Sequence, residues 1–185
     1  MALITQTDIE NKLGRSLTSD EVSNFNLINL ATQAYVERMI GSSVEDVAPS
    51  TRYYDGGVMN LSIDPCTNIT QVKYVDEELG VEYTFIDSEY TKEPVNRPLK
   101  TMLRNRYVQF TTGFNNVAVT AKFSIYDDTD TLNIVKNAMI DMVCEALENK
   151  EDIVNESIEG YSIAYDKMQS TQAMNALKSI FFGVI

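Results

Sequence analysis

The densest group of potential metal ligands is the acidic run Asp127-Asp128-Thr129-Asp130. A calcium loop would need oxygen ligands at set intervals, a glycine at its sharp turn and a closing bidentate glutamate, and none of these follows the run. Acidic residues and threonine directly before an apolar-periodic segment are typical of a helix N-terminus. The run is therefore interpreted as a helix cap, and the sequence predicts no metal site.

Residues that commonly carry catalysis are scarce. The sequence has no histidine, which excludes His-based acid–base catalysis and the Ser-His and Cys-His nucleophile pairs. Its two cysteines, Cys66 and Cys144, make neither a disulfide framework nor a zinc site and are expected to be reduced structural thiols. No glycine pattern of a phosphate-binding or dinucleotide-binding loop occurs. We expect no cofactor, and the chain is predicted not to be an enzyme.

The charge balance bears on possible partners. Asp and Glu number 27 against 15 Lys and Arg, which gives a formal net charge of −12. This excess of acidic residues disfavours a general nucleic-acid-binding surface, but it is compatible with a surface along which DNA slides without being retained. The only basic concentration comprises Arg97, Lys100, Arg104 and Arg106. It is interpreted as a local patch or a set of ion-pair partners, with docking onto an acidic neighbouring subunit as the alternative.

The length of 185 residues suits one domain, or a core with a sizeable insert. No apolar run reaches the roughly 20 residues that a bilayer requires. The N-terminal segment has no basic region followed by an apolar stretch, so no secretory signal is predicted. We expect synthesis in a cytoplasm.

Helical signals frame the chain at both ends. The pattern predicts a short helix over residues 8–13 that ends at Gly14, and a second helix that begins near Thr18 and ends at Gly41. After residue 128, apolar residues with a 3–4 spacing predict a long helix that fades between residues 149 and 154.

Between the predicted helices, the sequence pattern is typical of short strands separated by turns. Strands are predicted at residues 61–63, 69–75, 81–85, 107–110 and 117–125, with hairpin turns at 55–56, 76–80 and 112–116. The segment Asp64-Pro65-Cys66 is expected to break the sheet, and residues 97–100 to form a turn. Short connections favour an antiparallel sandwich or a barrel-like sheet.

These elements predict an α+β protein with a mostly helical core, made of an N-terminal helix pair and a long C-terminal helix. An antiparallel β domain is inserted into that core, and an extended arm follows it. The predicted divisions are residues 1–50, 51–127, 128–154 and 155–185.

The last fifteen residues are almost uncharged and rich in apolar side chains, which need either a core or a partner to cover them. They are interpreted as a final helix, preceded by an extended strand around residues 161–165. Packing on the protein's own core is one possibility. The functional alternative is docking on a partner by strand addition or by a helix in a groove. The candidate docking residues are Tyr161, Ile163, Tyr165, Leu177, Ile180, Phe181 and Phe182.

Nearly the whole chain resembles the head–tail connector (adaptor) proteins of long-tailed bacteriophages. In that family an N-terminal helix pair precedes a β-rich insert and a long helix. The segments that carry the resemblance are ITQTDI at 4–9, AYVERMI at 34–40, TRYYDG at 51–56, VQFTTGF at 108–114, IVKNAMI at 134–140 and ESIEGYSIAY at 156–165. The apolar end of this chain departs from the more polar tails common in the family.

The resemblance implies a structural virion protein of the neck, made in the host cytoplasm. It implies a ring of about twelve copies that joins the portal protein to a stopper or other neck or tail component and extends the DNA channel. A monomer is the expected alternative for the free protein, and no membrane contact is implied. The rival interpretations are a tail completion or terminator ring, or a small ligand-binding or enzymatic domain.

Overall fold

The structure, a computed structural model, describes residues 3–76 and 80–148. The chain divides into two compact units. One contains Ile40–Thr129, and the described part of the other contains residues 3–39 and 130–148. The predicted docking residues between 161 and 182 lie outside the described residues.

The helical unit contains α1 (Gln6–Leu13), most of α2 (Ser19–Ile40) and most of α3 (Thr129–Glu148). α1 begins with a capping box in which Thr5 and Asp8 exchange bonds. The Thr5 N–H donates to the Asp8 carboxylate at 2.8 Å, and the Asp8 N–H donates to the Thr5 hydroxyl at 3.2 Å. Gly14, with a φ of 67°, ends α1 as predicted.

The predicted start of α2 is also confirmed. The Thr18 N–H donates to Glu21 Oε2 at 2.7 Å, and the Glu21 N–H donates to Thr18 Oγ1 at 3.3 Å. Arg15 donates to both oxygens of the same carboxylate at 2.9 Å. Because these donors stabilise the ionised form, the pKa of Glu21 lies far below its usual value. Gly41, with a φ of 71°, follows the last helical residue.

α3 buries the face that its sequence periodicity predicted, including Val135, Met139 and Met142. Ion pairs connect it to α1, from Lys136 to Asp8 at 3.0 Å and from Lys12 to Asp141 at 2.7 Å. The end of the predicted helix, at residues 149–154, lies outside the described residues.

The second unit contains a six-stranded sheet in which every pair of neighbouring strands is antiparallel. Its order is β1-β6-β2-β5-β4, and β3 pairs with β2. The strands are β1 (Ser50–Tyr54), β2 (Asn60–Asp76), β3 (Val81–Thr84), β4 (Tyr90–Glu93), β5 (Lys100–Asn105) and β6 (Val117–Lys122).

β2 is one long strand where the sequence predicted two. The register shifts between Ser62 and Cys66 and again between Thr67 and Gln71, so the first part pairs with β5 and the later part with β6 and β3. The expected break at Pro65 is wrong because this residue lies within the first irregularity, where a missing N–H removes no ladder bond. Cys66 is consequently part of the strand rather than a turn.

Two predicted hairpins are also wrong. β1 pairs with β6 rather than with β2, and β5 and β6 are separated by β2, so neither residues 55–56 nor residues 112–116 join paired strands. The hairpin around Gly80 is confirmed, because Asp76 faces Val81 in the β2–β3 register.

The expected strand at residues 107–110 is absent, and the neighbouring strand ends at Asn105.

The sheet has its own apolar core, so the predicted mostly helical core is wrong. The helices and strands cover comparable lengths of the described chain. The central members of the sheet core include Val72, Leu103, Phe110, Val119 and Phe123, each 2% exposed or less. Cys66 and Cys144 are buried free thiols, and burial raises the pKa of Cys66 to about 12.

Arg52 joins three segments within the sheet unit. One of its terminal nitrogens donates to the Gly41 carbonyl and to Asp64 Oδ2, both at 2.7 Å. Its guanidinium lies 4.1 Å from the centroid of the Phe123 ring. The Tyr54 hydroxyl donates to the same Asp64 oxygen at 3.0 Å. This network holds Gly41, β1 and β2 together.

Candidate interaction surface

The acidic run that ends the β unit is used for local contacts. Asp127 accepts from the Thr67 hydroxyl at 3.1 Å and forms an ion pair with Lys122 at 2.9 Å. Hydrogen bonds from Lys122 hold the pKa of Asp127 below its usual value despite some desolvation. Asp130 lies in the first turn of α3, as expected for a helix start.

The basic residues near β4 and β5 also make local contacts. Lys100 Nζ donates to the carbonyls of Pro94, Val95 and Arg97 at 2.5–3.2 Å, which closes the turn between the two strands. Arg106 donates Nε to Thr91 Oγ1 at 3.1 Å. These contacts support the interpretation as a structural patch. The chain reverses at residues 94–97, where the Arg97 N–H donates to the Pro94 carbonyl, so the turn predicted at residues 97–100 lies earlier in the chain, and Lys100 begins β5.

The most exposed large apolar side chain in the described parts of the chain is Phe114, at 89%. It lies at the tip of the loop between β5 and β6. The residues on both sides of it are fixed: the Gly113 carbonyl accepts from the Gly56 N–H at 3.0 Å, and the Asn115 N–H donates to Asp55 Oδ1 at 2.8 Å. The loop therefore presents an aromatic ring to solvent from an anchored backbone.

Asn116 anchors the base of this loop. Its side chain donates to the Thr111 carbonyl at 2.8 Å and accepts from the Gly56 N–H at 2.9 Å. Its own carbonyl accepts from the Val75 N–H at 2.9 Å. Only 7% of Asn116 is exposed, so these bonds are shielded from water and hold the loop in one geometry.

Gly56 allows this close approach. A Cβ at Gly56 would lie 1.9 Å from the Thr111 carbonyl oxygen, a distance that no side chain can occupy. The Asp-Gly pair that the sequence interpreted as a hairpin turn therefore serves to bring two non-paired loops together.

An aromatic hollow of about 270 Å³ lies beside this loop. Its wall includes Phe85, whose ring meets Tyr83 and Phe110 edge to face at 5.2 and 5.4 Å. Tyr107 and Val108, 72% and 64% exposed, also line it. We call this the aromatic hollow.

Two tyrosine hydroxyls of the aromatic hollow are already bonded to carboxylates. The Tyr83 hydroxyl donates to one oxygen of Glu89, and the Ile86 N–H donates to the other at 2.8 Å. Tyr74 likewise donates to Asp76 at 3.0 Å. These bonds to carboxylates raise the pKa of both tyrosines.

A second apolar surface lies on α2. Leu27 and Leu30 are 59% and 66% exposed, whereas Asn29 and Thr32 on the opposite face are buried. Ala34, one turn after Leu30, is also exposed. The helix thus carries apolar residues on two faces, and only one of them is covered.

Phe114 and the hollow were not identified from the sequence as functional residues. The segment from 107 to 116 was assigned to a strand and a turn because its apolar residues suit either. The available signal was a phenylalanine placed between a glycine and two asparagines, where a turn would favour polar residues.

Within residues 3–76 and 80–148, no helix combines the length and apolar character needed to cross a membrane. The same residues contain no cluster of three or more His, Cys, Asp or Glu side chains suited to a metal ion.

The fold is shared with a chain of a solved particle structure, described as the neck of an empty GTA particle computed with C6 symmetry. The two chains align with a TM-score of 0.51 and 12% sequence identity, over 92% of this chain and 91% of the other. The likeness therefore spans almost the full length of both chains and establishes a common fold. No protein-family model matches the sequence, and no curated protein matches it.

Proposed function

We propose that this chain is a structural subunit of a virus neck. In this role, copies of the chain form a ring that joins the portal to the next neck or tail component and extends the DNA channel. The observation that carries the proposal is the full-length likeness to a chain from a particle neck. The neighbour's assembly has C6 symmetry, which supports a ring of six or a multiple of six copies here.

The surface of the chain supports a role in assembly. Phe114, Tyr107 and Leu30 are large apolar side chains that are mostly exposed in the single chain. Such groups mark contact surfaces because their exposure to water is unfavourable. The net charge of −12 suits a channel that DNA crosses without binding, since few cations are available to replace phosphate counterions.

The C-terminal residues from 155 onward are proposed to dock on the portal, with the apolar side chains of Leu177, Ile180, Phe181 and Phe182 as anchors. Burial of each such side chain contributes about 1.5–3 kcal/mol before ordering costs. A non-enzymatic role is part of this proposal.

Removal of residues 171–185 tests the docking proposal. The truncated chain should lose co-assembly with portal rings in a sedimentation assay while it retains the melting temperature of the full chain. Phe181→Ser with Phe182→Ser is the milder variant, and Lys178→Ser in the same segment is the matched control. Undiminished co-assembly of the truncated chain would refute docking through this segment.

The same assay separates the rival ring function. A tail terminator would bind tail tube and not portal, so incubation of the full chain with each component in parallel distinguishes the two. Binding to the tail tube alone would replace the connector proposal with the terminator one.

A further inference from the structure

We propose that residues 171–185 of the free chain pack on the exposed apolar face of its own helix α2, the face that carries Leu27, Leu30 and Ala34. The occupant is thus a segment of the same chain that lies outside the described residues. This contact goes beyond the proposed neck function, because it needs neither a ring nor a portal.

The two sides of α2 are reversed relative to an ordinary surface helix. The buried side includes two polar residues: Asn29, whose side chain donates to the Ile4 carbonyl at 3.2 Å, and Thr32, which is 0% exposed. The outer side carries Leu27 and Leu30, 59% and 66% exposed. A surface helix normally buries its apolar residues and exposes its polar ones, and a helix that is apolar on both sides is normally covered on both. The outer side of α2 therefore needs a packing partner.

The outer side of α2 also lacks charge. Residues 22–36 contain no Asp, Glu, Lys or Arg, although such residues make up 23% of the protein. The exposed positions in this run include small and amide side chains such as Ser23, Asn26 and Ala34. Depletion of charged residues is characteristic of the buried centre of a contact surface. This face therefore suits an uncharged, apolar occupant.

Residues 171–185 have the matching composition. Their only charged side chain is that of Lys178. Their apolar side chains recur at the 3–4 spacing of one helix face, at Ala173, Leu177, Ile180 and Val184. The outer face of α2 has the same spacing, at Leu27, Leu30 and Ala34. Two apolar stripes of equal period can pack along each other as neighbouring helices do.

The chain is long enough to make this contact. Leu27 and Leu30 belong to the same unit as α3, which ends at Glu148. Residues 149–170 connect that end to the proposed segment, and a chain of this length spans up to about 70 Å when it is extended. Helix α2, with 22 residues, is only about 33 Å long. The segment can therefore reach any point along α2.

Two arguments favour the chain's own segment over a second copy. Groups on one chain that are joined by a short connection meet at an effective concentration of the order of millimolar, far above that of a dilute protein. Charge acts in the same direction, because a second copy brings a net charge of −12 towards another of −12, whereas the segment brings one lysine and no acidic side chain.

Disulfide trapping within one chain tests the contact. The full-length double variant Leu30→Cys, Ile180→Cys is oxidised mildly at micromolar concentration, and the closed monomer is identified by its mass and by its mobility without reductant. Only residues whose Cα atoms come within about 7 Å can be bridged. Because Leu30 is 66% exposed, its substitution leaves the packed side of α2 intact. The native Cys66 and Cys144, 0% and 6% exposed, are protected from the reaction.

The matched control is Val95→Cys, Ile180→Cys, because Val95 is 64% exposed and lies in the sheet unit. We expect the closed monomer of the 30–180 pair to exceed that of the 95–180 pair several-fold. Equal yields, also with Leu27→Cys in place of Leu30→Cys, would overturn the contact. Covalent dimers in place of closed monomers would overturn it as well, since a second copy would then supply the occupant.

Trypsin gives a second readout that does not depend on how the two stripes are aligned. Cleavage after Lys178 releases residues 179–185 as a peptide of distinct mass, and the rate of release reports how often the segment leaves α2. Leu30→Asp places a charge on the outer face of α2 and should accelerate this release several-fold, whereas Val95→Asp should leave it unchanged. An unchanged rate in the Leu30→Asp protein would overturn the contact.

Both measurements use the free chain without portal. Leu177 and Ile180 are also proposed anchors on the portal, and the same side chains cannot occupy both places, so portal docking would follow the opening of this contact. Failure of the two measurements would overturn the contact and leave the neck function standing. Failure of co-assembly with portal would remove the docking proposal and leave this contact standing.

Discussion

At the scale of single residues, the structure leaves no room for a side chain at Gly56. Gly56→Ala places a methyl group 1.9 Å from the Thr111 carbonyl oxygen and 2.8 Å from the Asn116 side chain. Since backbone must move to accept it, we expect a loss of about 2–3 kcal/mol in the free energy of unfolding. Denaturant titration followed by circular dichroism measures this loss.

Gly14→Ala is the control for that variant. Gly14 has a φ of 67° and nothing within 4 Å of its added Cβ, so the substitution costs only the left-handed conformation, about 1 kcal/mol. Equal losses in the two variants would contradict the steric role assigned to Gly56.

Substitution of two glutamates, Glu21 and Glu145, should change the pH dependence of the free energy of unfolding in opposite directions. Bonds from Arg15 and Thr18 lower the pKa of Glu21 in the folded state, so its stabilisation is present above the unfolded pKa near 4.5 and is lost as the pH falls below it. Glu21→Gln should therefore reduce stability at pH 7 and make the loss in acid shallower. Chemical denaturation between pH 7 and pH 3 tests this.

Glu145 provides the contrast, because burial raises its pKa. Its charged form weakens the fold at neutral pH, and that penalty disappears as the pH falls and the carboxylate takes up a proton. Glu145→Gln should increase stability at pH 7 and make the acid loss steeper. If both glutamine variants changed the slope in the same direction, the electrostatic account of one of them would be wrong.

At the scale of elements, the Arg52–Asp64 network holds β1 and β2 to Gly41, the residue that follows α2. Asp64→Asn removes the ion pair with Arg52 and weakens the bond to the Tyr54 hydroxyl. The carboxylate is partly exposed, so we expect a loss of about 1 kcal/mol. Thermal unfolding is the measurement.

Asp87→Asn is the matched substitution, since it breaks the more exposed ion pair with Lys92 and should cost less than about half as much. A larger effect at Asp87 than at Asp64 would contradict the importance given to the Arg52 network.

The elements differ in how far the sequence predicts them. The end of α1 depends on a single glycine, Gly14, and the start of α2 on a contact three residues apart, Thr18 with Glu21. Such local signals can be recognised in the sequence. Strand pairing is not local: nothing near Tyr53 indicates that its partner is Ala118. β4 was missed because Tyr90–Glu93 is short and mostly polar, and its strand geometry depends on pairing with β5.

At the scale of the molecule, the candidate surface was only partly foreseeable. The exposed position of Phe114 depends on Asp55 and Gly56, which are distant in sequence and bond to residues of its loop. The apolar C-terminal residues were evident from composition alone, and their docking role stays a prediction.

The acidic character of the whole chain makes a prediction about DNA. With a net charge of −12, the full protein should show no retention of a fluorescent duplex in anisotropy titrations at 150 mM salt. An Arg104→Ala and Arg106→Ala variant should behave identically, because those residues are assigned to protein contacts. If the full protein showed salt-dependent binding and the double variant did not, the β5 region would bind the DNA phosphates, and this prediction would be wrong.

The most direct test of the central claim is the position of the chain in particles made from the genome that encodes it. Gold-labelled antibodies against the chain, viewed by electron microscopy and followed by symmetry-averaged reconstruction, report that position. The account predicts labelling at the head–tail junction, where a ring of copies of this fold surrounds the DNA channel. Absence of the chain from purified particles, or labelling confined to the capsid shell or the distal tail, would contradict it.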